Sequence, residues 1–336
     1  MGFKGWPKIP VTLDNGEIVE GITPLIISAS RSTDIPAFYA PWFFHRLEKG
    51  YIRWVNPFNK RSQIVSLERV KLIVFWSKNP QPIISYLPEL DKRDIRYVFQ
   101  FTLNDYEKER LERSVPPLSE RIAIFRQLSS IVGKDRVFWR FDPLILTDQI
   151  SIDSLLEKIR NVGNQIAPYT TRLTISFLIQ YKKVLRNMSL SGHIMHGFHD
   201  GVIEQIGEGL QIMSREWGIP IVSCAESRTL DKYGITHGAC IDPNYLNTVF
   251  RDDIQLTEFF GIENEQIDLL DCGDSRLHKL KDPGQRTHCR CIVSKDIGTY
   301  DTCTHYCTYC YANASEKLVK LNAGKISSFG DMLVPR

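Results

Sequence analysis

A chain of 336 residues holds one large α/β domain or two ordinary ones, and at that size it buries most of the surface its unfolded form exposes. Apolar content of 43% and charged content of 24% match a soluble globular protein and exclude a disordered or fibrous class. The net charge of +3 is too weak to indicate a nucleic-acid binder, and it does not exclude one.

No apolar stretch approaches the ~18 residues of a membrane span, and Met1 to Pro10 lacks a basic region followed by an apolar run. The expectation is a cytoplasmic protein with no membrane partner, whose thiols stay reduced. There, clustered cysteines read as metal ligands or redox groups.

In chain order, Pro24 to Ser30 (PLIISAS) reads as a buried strand. It ends in Arg31-Ser32-Thr33-Asp34, where Thr33 or Asp34 caps a helix with Pro36 in its first turn. That helix runs as one piece to Gly50. Tyr51 to Val55 and Gln63 to Leu67 read as strands around the turn Asn56-Pro57-Phe58-Asn59. Lys71 to Trp76 is a buried strand ending in Ser77-Lys78-Asn79, and Arg96 to Leu103 and Arg136 to Asp142 follow the same plan. Between the last two, Ile122, Phe125, Leu128 and Ile131 recur at helical spacing, with Ser119 as cap and Gly133 as stop. Ser151 caps a further helix carrying Ile152, Leu155, Leu156, Ile159 and Val162. Thr171 to Ile179 is a strand, Val202 to Trp217 an amphipathic helix, and Ile219 to Cys224 a strand leading into Ala225 and Glu226.

Alternating strands and helices imply a mostly parallel sheet. About seven strands without a glycine-rich dinucleotide or phosphate loop favour a TIM-like (β/α) barrel, complete or partial, over an open doubly wound sheet. The expected organisation is an N-terminal extension over 1–23 and a single α/β barrel domain over 24–313. Within that domain, about 225–313 forms a cysteine-rich cap at the barrel mouth, and a C-terminal helix and tail occupy 314–336. In such barrels the strand C-termini carry the active site. Candidate mouth residues are Arg31, Asp34, Asn56, Lys78, Asn79, Gln100, Arg140, Asp142 and Glu226. Singly, each reads as a helix cap or strand end; their recurrence at one structural position argues that some line a pocket.

Five of the eight cysteines lie between Cys289 and Cys310. Cys303, Cys307 and Cys310 have C-x3-C-x2-C spacing, which brings three thiolates to three irons of one 4Fe–4S cube and leaves the fourth iron open. An open iron binds a substrate or cofactor, whereas a fully ligated cube mainly transfers electrons. Cys289 and Cys291, one residue apart, suit a second metal site with Cys224 and Cys240, either a second 4Fe–4S cluster or tetrahedral zinc. Cys224 also reads as a small buried hydrophobe, and Cys272 as a free thiol or alternative ligand. His193, His196 and His199, an H-x2-H-x2-H run, read as a polar loop or lid in preference to a metal site, and His305 as a loop residue. Lys182, Lys183 and Arg186 suit a solvated helix face, or failing that an anionic group of a substrate.

The C-x3-C-x2-C spacing with aromatic Tyr309 before its last cysteine resembles the radical SAM superfamily, and the ending Tyr309-Cys310-Tyr311-Ala312-Asn313 resembles its spore photoproduct lyase-like branch. The wider chain resembles the DUF1848 family. The resemblance rests on IISASRSTDIPAFY, NPFN, IVFWSKNP, FQFTL, WRFDPLILT, ISFLIQYKK, CAE, YGITHGACIDP and CRCIVSKDIGTYDTCTHYCTYCYAN, which span about 24–313. DUF1848 implies a bacterial or archaeal cytosolic iron–sulfur protein without an established reaction. The superfamily resemblance implies S-adenosylmethionine on the open iron and its reductive cleavage to a 5′-deoxyadenosyl radical. It also implies Tyr309 near the adenine, Asn79 and Gln100 in cofactor binding, and an electron donor such as ferredoxin or flavodoxin. Arg31, Asp34, Lys78, Arg140 and Glu226 would orient S-adenosylmethionine and a substrate, expected to be a small molecule rather than a nucleic acid. The alternatives are an iron–sulfur protein without S-adenosylmethionine, acting in electron transfer or as a Lewis acid, and a zinc-stabilised binding protein. This sequence departs from the superfamily in two ways: its cysteine loop follows the last strand instead of the first, and it lacks a clear Gly-Gly-Glu run after a second strand. A circular permutation accommodates the first departure, because the first and last strands of a closed barrel are neighbours.

Overall fold

The computed structural model describes residues 3–261 and 280–335, so Cys272 lies outside the described residues. Two sheets organise the chain. The larger has eight strands, all parallel. In spatial order they are β12 (Lys295–Asp296), β3 (Ile26–Ala29), β6 (Leu72–Ser77), β7 (Arg96–Thr102), β8 (Val137–Leu144), β9 (Leu173–Phe177), β10 (Ile221–Cys224) and β11 (Thr236–Gly238). The last strand in the chain therefore lies beside the first of this sheet, with Lys295 opposite Ile27 and Asp296 opposite Ser28.

The expected parallel α/β sheet is present, but a closed barrel is not shown among the described residues. Among the described residues β11 and β12 do not pair, and both are edges. Strands of three and two residues offer too few ladder bonds to knit a seam. The sheet nonetheless curls. Eight strands laid flat would hold their edges ~34 Å apart at ~4.8 Å spacing. Yet Ile241, just past β11, accepts a backbone hydrogen bond from Ile292, just before β12, at 3.2 Å.

Side-chain alternation divides the core. Ile27, Ile73, Phe75, Phe99, Trp139 and Ile175 share one cluster with the crossover helices, notably Leu118–Val132 (α4), Ile152–Ile166 (α5) and Asp200–Trp217 (α7). The alternate residues Ile26, Leu72, Val74, Val98 and Phe138 face Ile241, Leu246, Phe250, Cys289 and Cys291 in another cluster. Toward the strand C-termini this second face turns polar, through Ser28, Trp76, Gln100 and Arg140.

The smaller sheet, in order β1 (Lys8–Thr12), β2 (Ile18–Ile22), β5 (Ser62–Ser66) and β4 (Tyr51–Val55), recruits the N-terminal residues. Asn56 belongs to this smaller sheet and does not end a strand of the large one: its carboxamide accepts from Phe58 N at 2.9 Å in the β4–β5 turn. Three local expectations also change. The helix before Gly50 breaks at Tyr39 (φ −130°) into Ile35–Phe38 (α1) and Ala40–Lys49 (α2), because Pro41 opens a new first turn. Pro117, not Ser119, precedes α4, and Glu107 accepts from Leu118 N at 3.1 Å. The run His237 to Pro243 (HGACIDP), whose composition marks it as turn-rich, instead begins within the strand β11. Ser151 and Gly133 act as expected, the first accepting from Ser154 N at 3.2 Å and the second taking φ 91°. The helix Glu316–Ala323 (α10) follows the cysteine loop.

Candidate functional site

Every strand of the large sheet points the same way, so the loops that leave their C-termini gather at one end. The residues after β12 form the cysteine loop there. Asp296 anchors its start: its carboxylate accepts from Ser30 Oγ at 2.6 Å, Arg31 N at 2.7 Å, Gly298 N at 2.9 Å, Ser32 Oγ at 3.1 Å and Ser28 Oγ at 3.3 Å. Gly298 is obligatory in this corner, since a Cβ there would lie 2.0 Å from Ser30 Oγ.

The loop is then pinned from three sides. His305 Nε2 lies 2.8 Å from Asp34 Oδ2, and Lys78 N donates to the same oxygen at 2.8 Å. Backbone bonds from Ser114 N to His305 O (3.0 Å) and from Thr308 N to Leu111 O (2.8 Å) tie it to the segment after β7. Tyr309 is buried, donates to Glu112, and accepts from Lys78 Nζ at 3.0 Å and Asn104 Nδ2 at 3.1 Å. Burial opposes a charge on Glu112, but Lys78 (2.6 Å) and Arg121 (3.3 Å) outweigh it and hold the carboxyl at about 2. Burial pushes the Tyr309 phenol well above its ordinary value, and Glu112 adds to the shift.

Cys303, Cys307 and Cys310 are half-buried within this frame. Tyr306, between the first two, takes φ 51°, a left-handed turn that is uncommon for a bulky residue. Burial drives the Cys303 and Cys307 thiols well above their ordinary value. Metal coordination is the kind of interaction that stabilises such thiolates. Thr33 Oγ1, Thr308 Oγ1 and Asn313 Oδ1, around the loop, are buried without a hydrogen-bond partner. Buried polar atoms are normally satisfied, so the loop suits a further polar group. The donor set and these orphaned atoms fit an iron–sulfur cluster. Among the described residues, no three His, Cys, Asp or Glu side chains surround a single ion position. A cube spreads its ligands over separate irons and requires no such point.

The other candidates divide. Gln100 and Arg140 share the polar inner face: Gln100 Nε2 donates to Cys240 O at 2.6 Å, and Arg140 Nη1 to Gln100 Oε1 at 3.3 Å. Arg140 also pairs with Asp142, which accepts from Ser176. Two guanidinium groups lie over the Trp76 ring, Arg31 at 5.0 Å and Arg140 at 5.3 Å. Asn79 and Glu226 serve their own turns, accepting from Gln81 N at 3.3 Å and Ser227 N at 2.9 Å. Lys183 reaches the cysteine loop, donating to Tyr311 O at 2.6 Å. His193 is buried with Nδ1 unpartnered, while His196 and His199 line a separate hollow of about 480 Å³ with Leu146 and Val202. Glu112, Asn104, Arg121 and Asp296 escape sequence reading. Glu112 and Arg121 stand in charge-rich runs that look solvated, and only their burial against each other shows their role.

No curated protein matches the chain. Among solved structures, one described as a "putative alpha-L-fucosidase" from Bacteroides thetaiotaomicron aligns over 78% of this chain and 96% of its own, at 10% identity and a TM-score of 0.25, which carries no argument about fold or function. Residues 26–312 match the family described as "Domain of unknown function (DUF1848)". The chain, with its motifs distributed along the parallel sheet and its closing cysteine loop, belongs to that family.

Proposed function

We propose that the protein is an iron–sulfur enzyme in which Cys303, Cys307 and Cys310 hold a 4Fe–4S cluster with one open iron, at the C-terminal end of the parallel sheet. One observation carries this reading. Three half-buried cysteines at that spacing sit on a loop fixed by a buried network, from Asp34 and His305 on one side and Lys78, Glu112 and Tyr309 on the other. When bound, such a cluster supplies an electron and a labile iron that takes an exogenous ligand. The resemblance to the radical SAM superfamily makes S-adenosylmethionine that ligand, with a ferredoxin or flavodoxin as donor and a small molecule as substrate. Asp34 and Lys78 act by positioning, since Asp34 is bonded to His305 and Lys78 to Tyr309 of the loop. Tyr309, locked by three partners, gives the loop a rigid side.

The test is anaerobic reconstitution. Wild type should carry about four more irons, with matching sulfide, than Cys303→Ala. Dithionite and S-adenosylmethionine should then yield 5′-deoxyadenosine. An assembled cluster that yields none removes the S-adenosylmethionine part. An electron paramagnetic resonance signal unmoved by S-adenosylmethionine would instead assign the cluster to electron transfer or Lewis-acid chemistry. Equal iron in both proteins overturns the cluster at the loop.

A further inference from the structure

Among the described residues four cysteines lie outside the loop, and all four are buried. Cys224 ends β10, Cys240 follows β11, and Cys289 and Cys291 precede β12. These are the segments that flank the unpaired seam of the large sheet. Cys224 Sγ lies 3.1 Å from Cys240 Sγ, and all four thiols are near enough to influence one another electrostatically. Ile241 N donates to Cys291 Sγ at 3.4 Å, within the same seam.

A purely apolar role explains burial but not the company these sulfurs keep. Arg140 Nη1 donates to Cys240 Sγ at 2.7 Å. Arg31 lies over the same Trp76 ring as Arg140, and its Nη2 is buried with no hydrogen-bond partner. A small hydrophobe has no use for cationic neighbours, whereas a set of thiolates does. Four thiolates around a divalent ion, or around an oxidised cube, leave a net charge of about −2, which the neighbouring guanidinium groups, Arg140 also paired with Asp142, offset in part.

We propose that Cys224, Cys240, Cys289 and Cys291 form a second metal centre, bound by thiolates alone, that clasps the open seam between β11 and β12. The centre does in one small volume what a hydrogen-bonded ladder does elsewhere in the sheet. The Cys224–Cys240 pair, at 3.1 Å, is closer than the ~3.8 Å that four 2.3 Å bonds set in a tetrahedron. Rotation about χ1 redistributes them around the metal. Zinc and an iron–sulfur cube share this thiolate chemistry, and elemental analysis separates them.

The inference is independent of the cluster at the loop, and the experiment keeps the two apart. The variant Cys303→Ala/Cys307→Ala/Cys310→Ala, purified anaerobically, should retain about one zinc, or about four irons with matching sulfide, per chain. X-ray absorption at that metal should show sulfur as the only neighbouring ligand atom. Adding Cys289→Ser and Cys291→Ser should bring the content to background, and hydrogen exchange should accelerate in β11 and β12 but not in β7. A folded triple variant without metal overturns the proposal, as does metal content indifferent to the added pair. Should the combined variant fail to fold, Cys289→Ser/Cys291→Ser in the otherwise native chain gives the same reading: metal per chain falls by that amount, or the proposal fails.

Discussion

Asp296 shows how much a single carboxylate organises. It gathers three serine hydroxyls and two backbone amides from two segments, and it fixes where β12 lies against β3. Asp296→Ala leaves buried donors without an acceptor, a loss of ~3 kcal/mol or more. Chemical denaturation should show it, and a variant as stable as wild type would remove Asp296 from this role. Its neighbour Lys295 gives a pH-dependent signature. Burial brings its ammonium down to about 7, with Asp296 opposing. Nζ donates to Gln63 Oε1 at 2.9 Å and lies 3.2 Å from the centre of the Trp54 ring. The unfolded chain keeps Lys295 protonated to higher pH than the folded one, so folding releases a proton between those two values. Stability from this group therefore rises as pH climbs from about 7 toward the ordinary lysine value of 10.5, and its full burial cost is present below about 7. The stability of wild type relative to Lys295→Met should rise over that range. A difference that stays flat with pH would show that Lys295 titrates normally.

At the scale of elements, α5 and α7 meet through a glycine. A Cβ on Gly163 would lie 2.1 Å from the Trp217 ring. That ring is held by Trp139 at 5.6 Å between centroids and by a hydrogen bond to Asn164 at 2.9 Å, so it cannot yield cheaply. Gly163→Ala gains up to ~1 kcal/mol of helix propensity but overpacks the contact at a cost of roughly 1–3 kcal/mol. We expect a lower urea midpoint with an unchanged slope; a raised midpoint would mean that the two helices slide apart freely. These same helices were legible in the sequence, because Leu155, Ile159 and Val162 repeat at helical spacing whatever they later touch. The break at Tyr39 was less legible: Pro41 suits the first turn of a new helix as well as a kink in an old one, and only contacts around Tyr39 choose between them.

Across the whole molecule, no helix among the described residues is long and apolar enough to cross a membrane. The candidate site was half legible. Cys303, Cys307, Cys310, Asp34, Lys78 and Tyr309 carry their chemistry in residue type and spacing, and the fold gathers them at one end of the sheet. Glu112, Arg121 and Asn104 were invisible, because a charged residue paired in the interior has the same local sequence as one in water. The sequence by itself determined the alternation of helices with β3 and β6–β10, since burial on both faces demands long apolar runs and amphipathic helices demand a 3.6-residue repeat. Only the tertiary structure decided where the chain's end goes. Two residues of β12 and three of β11 carry no periodic signal of their own. Their places are set by distant partners, by Asp296 against the β3 loop on one edge and by the hydrogen bond from Ile292 N to Ile241 O across the seam, and such pairings exist only once the sheet has curled.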